Sequence, residues 1–321
     1  MRDRPLVSVA MCTYNGARFL KEQLDSLLGQ SYKNIEIVVT DDGSTDDSVS
    51  LIKTYAAAHD NIRLFENDIN LGFVKNFEKA ISLCRGDYIA LADQDDIWEC
   101  GKIEHFVEAI GEHEMIYSDA TLIDADSKPI NRLLIGPDRQ LVSGHCFMAF
   151  IFDNCVSGNT LMFRKELVSK ILPIPEGVKF HDQWIAFVAS ACGTITAIDE
   201  PQTRYRRYSD QVTHTVKVKA KGLVKRVREK LERKKRYASQ QLQFIEALAT
   251  VDSVSVQITF KMLIDHFQNY QGRFFNMRLF IHLWKIREAL FAIEPSSRKR
   301  MTAAFKVAVG FRLYAMSLGS L

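Results

Sequence analysis

The first hundred residues alternate short apolar runs with amphipathic segments, and this alternation restricts the fold more than any other feature. A six-residue apolar stretch at 6–11 precedes a small polar loop, after which Leu20, Leu24 and Leu27 recur at helical spacing. The pattern repeats from three further apolar runs, at 35–40, 62–65 and 88–91. Because strands that alternate with helices form βαβ units, the sequence predicts an α/β fold with a mostly parallel sheet flanked by helices.

The C-terminal third has a different pattern. From residue 238 onward the apolar positions recur at helical spacing. Just before this region, the segment 217–236 contains eleven Lys or Arg and two Glu, a net charge of +9. The whole chain has a net charge of only +3, so the rest of it carries −6. We predict an α/β domain over 1–215 and a basic, mainly helical region over 216–321. A local anionic partner fits such a segment better than a whole surface that binds nucleic acid.

Three features bear on location. The longest stretch without a charged residue is Gln183–Ile198, 16 residues, shorter than the ~20 that a spanning helix needs. The apolar run near the N-terminus is also too short for the core of a signal peptide. None of the six cysteines forms a CxxC pair, which favours free thiols. These observations predict a cytoplasmic protein.

Polar and acidic residues follow the predicted strands. In α/β sheets, ligands bind beyond the carboxyl ends of the strands, so these loops should converge on one crevice. They are Thr13-Tyr14-Asn15-Gly16, Asp41 to Asp47, Asn67 to Gly72, and Asp93 to Asp96.

The strongest local signal is Asp93-x-Asp95 with Asp96 beside it. Three carboxylates in four residues repel one another unless a cation lies opposite, and oxygen ligands suit Mg²⁺ or Mn²⁺. An ion of this kind typically binds one or two carboxylates and completes its shell with substrate phosphate. The alternative is an acidic turn that caps the helix beginning near Glu99.

Three other groups have both a structural and a functional interpretation. Asp41 and Asp42 suit either a helix-capping turn or hydrogen bonds to a base or ribose. Asp182 suits either a helix N-cap or a general base. Arg206 and Arg207 suit either a solvated face or a clamp on phosphate.

Several enzyme classes lack their motifs here. The chain contains no GxxxxGK, GxGxxG, HExxH or GxSxG, which excludes P-loop enzymes, dinucleotide enzymes of the usual fingerprint, zincins and α/β-hydrolases. A nucleotidyltransferase would show a Gly-rich basic loop after the first strand, and Arg18 is the nearest basic residue to that loop.

Taken together and in order, these motifs resemble the family 2 glycosyltransferases of the GT-A fold, which has a Rossmann-like sheet. The resemblance extends from residue 5 to about 215 and is closest to bacterial enzymes that build surface polysaccharides such as O-antigen or capsule, rhamnosyltransferase-like members included. The segments that carry it are 7–16, 37–46, 70–72, 93–96 and His181-Asp182-Gln183-Trp184.

The resemblance implies a role for individual residues. It implies metal binding by Asp95 with Asp93, and a catalytic base at Asp182. The residues that would bind the nucleotide are Thr13, Tyr14, Asn15, Asp41, Asp42 and Asp93. Those that would contact the sugar or acceptor are Ser157, Gly158, Asn159, His181 and Trp184. Arg206 and Arg207 are the phosphate candidates.

The implied reaction is metal-dependent, inverting transfer of a hexose or deoxyhexose from a nucleotide-diphosphosugar, dTDP- or UDP-linked, to a saccharide acceptor on a polyprenyl diphosphate. The QxxRW signature of processive synthases is absent, Gln202-Thr203-Arg204-Tyr205 being a loose echo of it, so one sugar is expected per encounter. The segment 217–236 either lies on an anionic inner membrane surface or is a solvated helix. No base-stacking platform accompanies it, so we expect no nucleic acid partner. The alternative from another class is a non-catalytic sugar-nucleotide or glycan-binding module.

Overall fold

The computed structural model describes residues 4–137, 139–208, 223–251 and 257–310. The chain divides into two compact units. The first comprises Met1–Phe147, Asn154–Ile174 and Phe180–Tyr208, and the second comprises Met148–Asp153, Pro175–Lys179 and Ser209–Leu321. The boundary expected at 215–216 lies outside the described residues.

The first unit is built on one sheet, which has nine strands within the described residues. They are β1 Val7–Thr13, β2 Ile35–Asp41, β3 Ile62–Glu66, β4 Tyr88–Ala92, β5 Ile97–Trp98, β6 Met115–Ile123, β7 Pro129–Leu133, β8 Leu161–Arg164 and β9 Ile195–Arg206. All seven positions of β1 and of β2 are buried, which explains why these strands appear as continuous apolar runs.

The strand order is β3-β2-β1-β4-β8-β6-β9-β5, with β7 paired to β6. The four N-terminal strands are parallel, as predicted. Beyond β4 the sheet is mixed, because β8 runs antiparallel to both of its neighbours. The order reverses beside β1, with β2 on one side and β4 on the other. The carboxyl ends of β1 and β4 therefore border the crevice where such folds bind ligands.

Six helices belong to this unit: α1 Ala17–Leu28, α2 Ser48–Ala58, α3 Phe73–Leu83, α4 Lys102–Ala109, α5 Val168–Ile171 and α6 His181–Cys192. In α1, Leu20, Leu24 and Leu27 are fully buried and pack in one cluster with apolar residues of β1 and β2. Full burial of a leucine stabilises a fold by roughly 1.5–3 kcal/mol, so this face holds α1 on the sheet. The α/β fold with helices on a central sheet is confirmed.

The second unit is helical where it is described. Its helices are α7 Leu223–Leu248, α8 Gln257–Gln268, α9 Met277–Lys285, α10 Arg287–Leu290 and α11 Ser297–Ala308. Leu279, Leu283 and Leu290 are fully buried, as their helical spacing predicted, although the helix is interrupted at Ile286. Across the described ranges, no helix combines the length and apolar character needed to cross a membrane.

Candidate functional site

Hydrogen bonds join the loops that follow β1 and β4. The Tyr14 N–H donates to Gln94 Oε1 at 2.8 Å, and Gln94 Nε2 donates back to the Tyr14 carbonyl at 3.1 Å. A Cβ on residue 16 would lie 2.2 Å from Gln94 Oε1, so only glycine lets the amide lie there. Gly16 thus fixes the approach of the two loops at the crevice.

A second set of bonds joins the loops after β1 and β2. Asn15 has a positive φ of 49°. Its N–H donates to Ser44 Oγ at 2.9 Å, and its Oδ1 accepts from the Thr45 N–H at 2.8 Å. The N-cap of α2 is Asp47. Ser44 and Thr45 hold the two loops together, and Asp46 accepts from the Ala17 N–H at 3.1 Å and from the Ser48 N–H at 3.0 Å.

Asp41 and Asp42 lie at the carboxyl end of β2, as predicted, but they face different groups. Asp41 accepts from Thr13 Oγ1 at 2.7 Å and from the Ser44 N–H at 2.8 Å. Asp42 accepts from the N–H groups of Leu71 and Gly72, at 2.8 and 2.9 Å. Both carboxylates are buried. Asp41 therefore orients Thr13, and Asp42 holds the loop that precedes α3.

The acidic turn after β4 divides into an anchored carboxylate and two that face the crevice. Asp96 is 1% exposed and accepts from the side-chain amide of Asn159 and from the Arg206 N–H. Asp93 and Asp95 are half-buried, and Asp95 Oδ2 accepts from the Tyr208 hydroxyl at 2.8 Å. Because β5 and a Gly101 N-cap separate the turn from α4, the turn does not cap that helix.

Close to this turn lies a buried lysine, Lys102, that was not predicted from the sequence. Its side chain is fully buried, and Nζ donates to the Asn159 carbonyl at 2.5 Å and to Thr203 Oγ1 at 3.0 Å. Nζ also lies 3.5 Å from the centre of the Trp98 ring. Burial lowers the pKa of Lys102, while the charges of Asp96 and Asp93 oppose that shift. A lysine flanked by apolar Ile103 and Phe106 was the available signal.

Asp182 lies in the first turn of α6, whose N-cap is Phe180, so it is not the N-cap residue. Its Oδ1 accepts from the Gln183 N–H at 2.6 Å and from Asn154 Nδ2 at 3.2 Å, and the Gly158 N–H also donates to the carboxylate. Burial raises the pKa of Asp182 to about 6, and these hydrogen bonds limit the rise.

Asp93 and Asp182 come from distant parts of the chain, and their negative charges repel one another. Burial raises the pKa of Asp93 to about 7, helped by the negative charges of Asp95 and then Asp182. Shifts of this size mark functional sites more often than structural ones. The fold thus brings together the acidic turn and the carboxylate predicted to be the base.

Two acceptor candidates, Asn159 and Trp184, have structural roles. Trp184 is 2% exposed, and its indole N–H donates to the Ile171 carbonyl at 2.9 Å. Asn159 is fully buried between Asp96 and Lys102. The Trp184 indole N–H and the Asn159 amide N–H therefore bond groups inside the protein, and the contact of these two residues with an acceptor stays a prediction. Ser157 and Gly158 begin the short turn that supports Asp182.

Arg206 also departs from its predicted role. It is fully buried, and Nε donates to the Asp95 carbonyl at 2.7 Å. Its guanidinium also donates to Ser127 Oγ at 2.9 Å and to Glu22 Oε2 at 2.7 Å, and it lies 4.5 Å from the centre of the Phe19 ring. A guanidinium committed to these partners holds the acidic turn instead of clamping a phosphate. Arg207 is half-buried with its guanidinium over the Tyr205 ring, and its role stays a prediction.

The donor set fits a divalent ion of the Mg²⁺ or Mn²⁺ type. Among the described residues, no three His, Cys, Asp or Glu side chains are grouped to hold a metal. The crevice instead offers two part-exposed carboxylates, Asp93 and Asp95, which crowd one another. Such ions bind through one or two carboxylates and complete their shell with phosphate and water. The pair would therefore hold the ion together with a phosphate ligand.

Sequence comparison places the chain among glycosyltransferases. An uncharacterized glycosyltransferase of Haemophilus influenzae is 27% identical over 227 residues, covering 66% of this chain and 69% of that protein. TuaG of Bacillus subtilis, a glycosyltransferase assigned provisionally to teichuronic acid biosynthesis, is 28% identical over 137 residues, 42% of this chain and 54% of that protein.

Solved structures share the fold at low sequence identity. Residues 1–349 of S. aureus TarS in complex with UDP superpose with a TM-score of 0.59 at 17% identity, covering 98% of this chain and 90% of that one. The mannosyltransferase PcManGT from Pyrobaculum calidifontis, in complex with GDP-Man and Mn²⁺, gives 0.53 at 19% identity, covering 99% and 80%.

The family model for Glycosyl transferase family 2 matches residues 8–171, about half of the chain. These residues include β1 to β4, the acidic turn and the Gly158 turn that supports Asp182. The match agrees with the GT-A fold of the sheet and with the order of the strand-end loops. The chain therefore belongs to glycosyl transferase family 2.

Proposed function

We propose that the chain transfers one sugar per encounter from a nucleotide-diphosphosugar to a saccharide acceptor, with inversion, in the synthesis of a bacterial surface polysaccharide. One observation carries the proposal: residues 158–159 join Asp182 of α6 to the acidic turn after β4, because the Gly158 N–H donates to the Asp182 carboxylate and the Asn159 side-chain amide donates to Asp96. The leaving diphosphate of the donor needs the metal ion that the acidic turn would hold, and the acceptor hydroxyl needs a base, which Asp182 would supply.

The donor would bind along the three joined loops. Tyr14 is 49% exposed and offers its ring to a base, while Asp41 holds Thr13 and Asp42 holds the next loop in place. Asp93 and Asp95 would hold Mn²⁺ or Mg²⁺, which supplies charge stabilisation to the leaving diphosphate. The TarS and PcManGT complexes with UDP and with GDP-Man and Mn²⁺ support a donor of this class; we favour a dTDP- or UDP-sugar.

Asp182 would act as the general base. Its carboxylate takes the proton from an acceptor hydroxyl as that oxygen attacks the anomeric carbon. The bond from the anomeric carbon to the diphosphate oxygen breaks, and the diphosphate leaves with the electron pair. A single displacement with the base opposite the leaving group inverts the anomeric centre. The Gln183 and Gly158 N–H groups and Asn154 fix the carboxylate for this step.

We propose a lipid-linked acceptor, carried on a polyprenyl diphosphate, and contact of the basic segment 217–236 with an anionic membrane surface. Residues 217–222 of this segment lie outside the described residues, and the remainder lies in α7. The relation to TuaG, assigned to a cell-surface polymer, supports an acceptor of this kind.

Nucleotide binding tests the donor site directly. We expect one of UDP, dTDP, GDP or CDP to raise the melting temperature in the presence of Mn²⁺, since a ligand at a hundredfold excess over its Kd stabilises by about 2.7 kcal/mol. Asp95→Ala should abolish the Mn²⁺-dependent shift. Asp60→Ala, which removes an exposed carboxylate from the turn before β3, should keep the Mn²⁺-dependent shift. A shift that is equal in both variants would overturn the assignment of Asp95.

The pH profile tests the base. Because a base must be ionised and burial raises the pKa of Asp182 to about 6, we expect kcat/KM to fall about tenfold per pH unit below that value and to level off above it. The profile is measured at saturating Mn²⁺ and donor. Residual activity in Asp182→Asn should lack this acidic limb. An acidic limb that persists in the variant would assign the titration to another group.

A further inference from the structure

Two phenylalanine rings contact His181 at the start of α6, and a third, Phe180, precedes it in the chain. The Phe77 ring stacks on the imidazole with centroids 4.1 Å apart, and the Phe73 ring meets its edge at 6.0 Å. Phe180 lies 6.4 Å from Phe73. Phe77 is buried, whereas Phe73 is 43% and Phe180 40% exposed. The exposed pair, Phe73 and Phe180, is called the aromatic platform below.

The backbone places this platform beside the proposed base. Phe73 is the first residue of α3, directly after the loop that Asp42 holds through the Leu71 and Gly72 N–H groups. Phe180 is the N-cap of α6, two residues before Asp182. Both rings are thus carried by helix ends that adjoin the site.

The imidazole of His181 supplies a second, independent observation. The residue is 6% exposed, and neither ring nitrogen has a hydrogen-bond partner within the described part of the chain. Its Nε2 faces Gly158, where an added Cβ would lie 2.9 Å away. A buried polar group without a partner is destabilising, so such groups usually meet a ligand or water. Burial lowers the pKa of His181 to about 3, which leaves the ring neutral.

We propose that the aromatic platform binds the apolar face of a pyranose ring of the acceptor, and that His181 forms a hydrogen bond with one of its hydroxyl groups. The inference rests on the proposed function, because it names the subsite that presents the acceptor to Asp182. Ligand sites combine apolar aromatic surface with a few placed polar groups, and a pyranose offers C–H groups on its faces and hydroxyls at its edge. A neutral imidazole can donate or accept such a bond.

Saturation-transfer NMR on the full chain with UDP and Mn²⁺ tests the platform, with methyl glycosides of glucose, galactose, rhamnose and N-acetylglucosamine as probes. We expect transfer to the ring protons of at least one glycoside and a Kd about tenfold higher in Phe73→Ala and in Phe180→Ala. Phe274→Ala, which truncates an equally exposed ring in the second unit, is the matched control and should bind like the wild-type chain. His181→Phe keeps the stacked ring, removes both nitrogens, and should also weaken binding.

The outcomes separate this proposal from the one on which it rests. The subsite is supported if the platform variants still show the nucleotide-dependent rise in melting temperature but no longer bind the glycoside. Equal glycoside binding in all variants, or no binding to a wild-type chain that does bind nucleotide, overturns it. A wild-type chain that binds no nucleoside diphosphate overturns the proposed function, and the acceptor subsite with it.

Discussion

Asp182→Asn should lower kcat by about 10²–10⁴-fold, the contribution typical of a positioned general base. The amide is nearly isosteric and its Oδ1 can still accept from the Gln183 N–H, so the start of α6 should be preserved. The substitution removes the capacity to take a proton, one negative charge and one of the two acceptor oxygens. Product formation is followed with saturating donor and acceptor, and nucleotide affinity is measured on the same sample.

The same variant separates an enzyme from a binding module. If the chain is a transferase, Asp182→Asn loses turnover and keeps its affinity for nucleoside diphosphate. A residual kcat within threefold of wild type would contradict the assignment of the base. Asp60→Asn, an exposed carboxylate on a turn, provides the control for the loss of one negative charge.

The N-terminal half of the fold could be predicted because the local signals agree there. The strands β1 to β4 are parallel, β1, β2 and β4 are largely buried and β3 is partly buried, and α1 and α3 each bury one apolar face. Local preference and tertiary environment point to the same element in this region. The loops at the strand ends could be placed together for the same reason.

Beyond β4 the sequence is less informative because pairing partners are remote. The short strand β8 lies between β4 and β6 and runs antiparallel to both, and nothing in its three apolar residues and one arginine indicates a direction. The strand β9 contains Pro201, Gln202 and Arg204, which reads as a loop. Its partners β6 and β5 make it a strand, so tertiary context decides the element.

Candidate site residues could be predicted where several polar or charged residues are close together in the sequence. Residues whose role depends on tertiary packing were missed. Three aspartates in four residues signal a cation site on their own. The roles of Lys102 and Arg206 depend on their burial. The sequence alone does not show whether a basic side chain is buried or exposed. The aromatic platform likewise arises only when the starts of α3 and α6 meet in space.

The contrast between two arginines of β9 leads to the second large prediction. Arg204 is half exposed and forms a bidentate pair with Glu99 on the surface. Arg206, two residues on, is fully buried and bonds the Asp95 carbonyl together with Glu22 and Ser127. Exposed pairs contribute about 0–1 kcal/mol, whereas breaking a buried pair is destabilising by about 3–5 kcal/mol.

We therefore expect Arg206→Met to lower the free energy of unfolding by about 3 kcal/mol, the lower end of that range, because Glu22 is half exposed and can regain water. Arg204→Met, the matched control, should change it by no more than about 1 kcal/mol. Urea unfolding followed by tryptophan fluorescence measures both. Since Arg206 also holds the backbone of Asp95, its loss should weaken Mn²⁺-dependent nucleotide binding even where the variant is folded. If Arg206→Met unfolds like Arg204→Met and binds nucleotide like the wild-type chain, Arg206 does not hold the acidic turn.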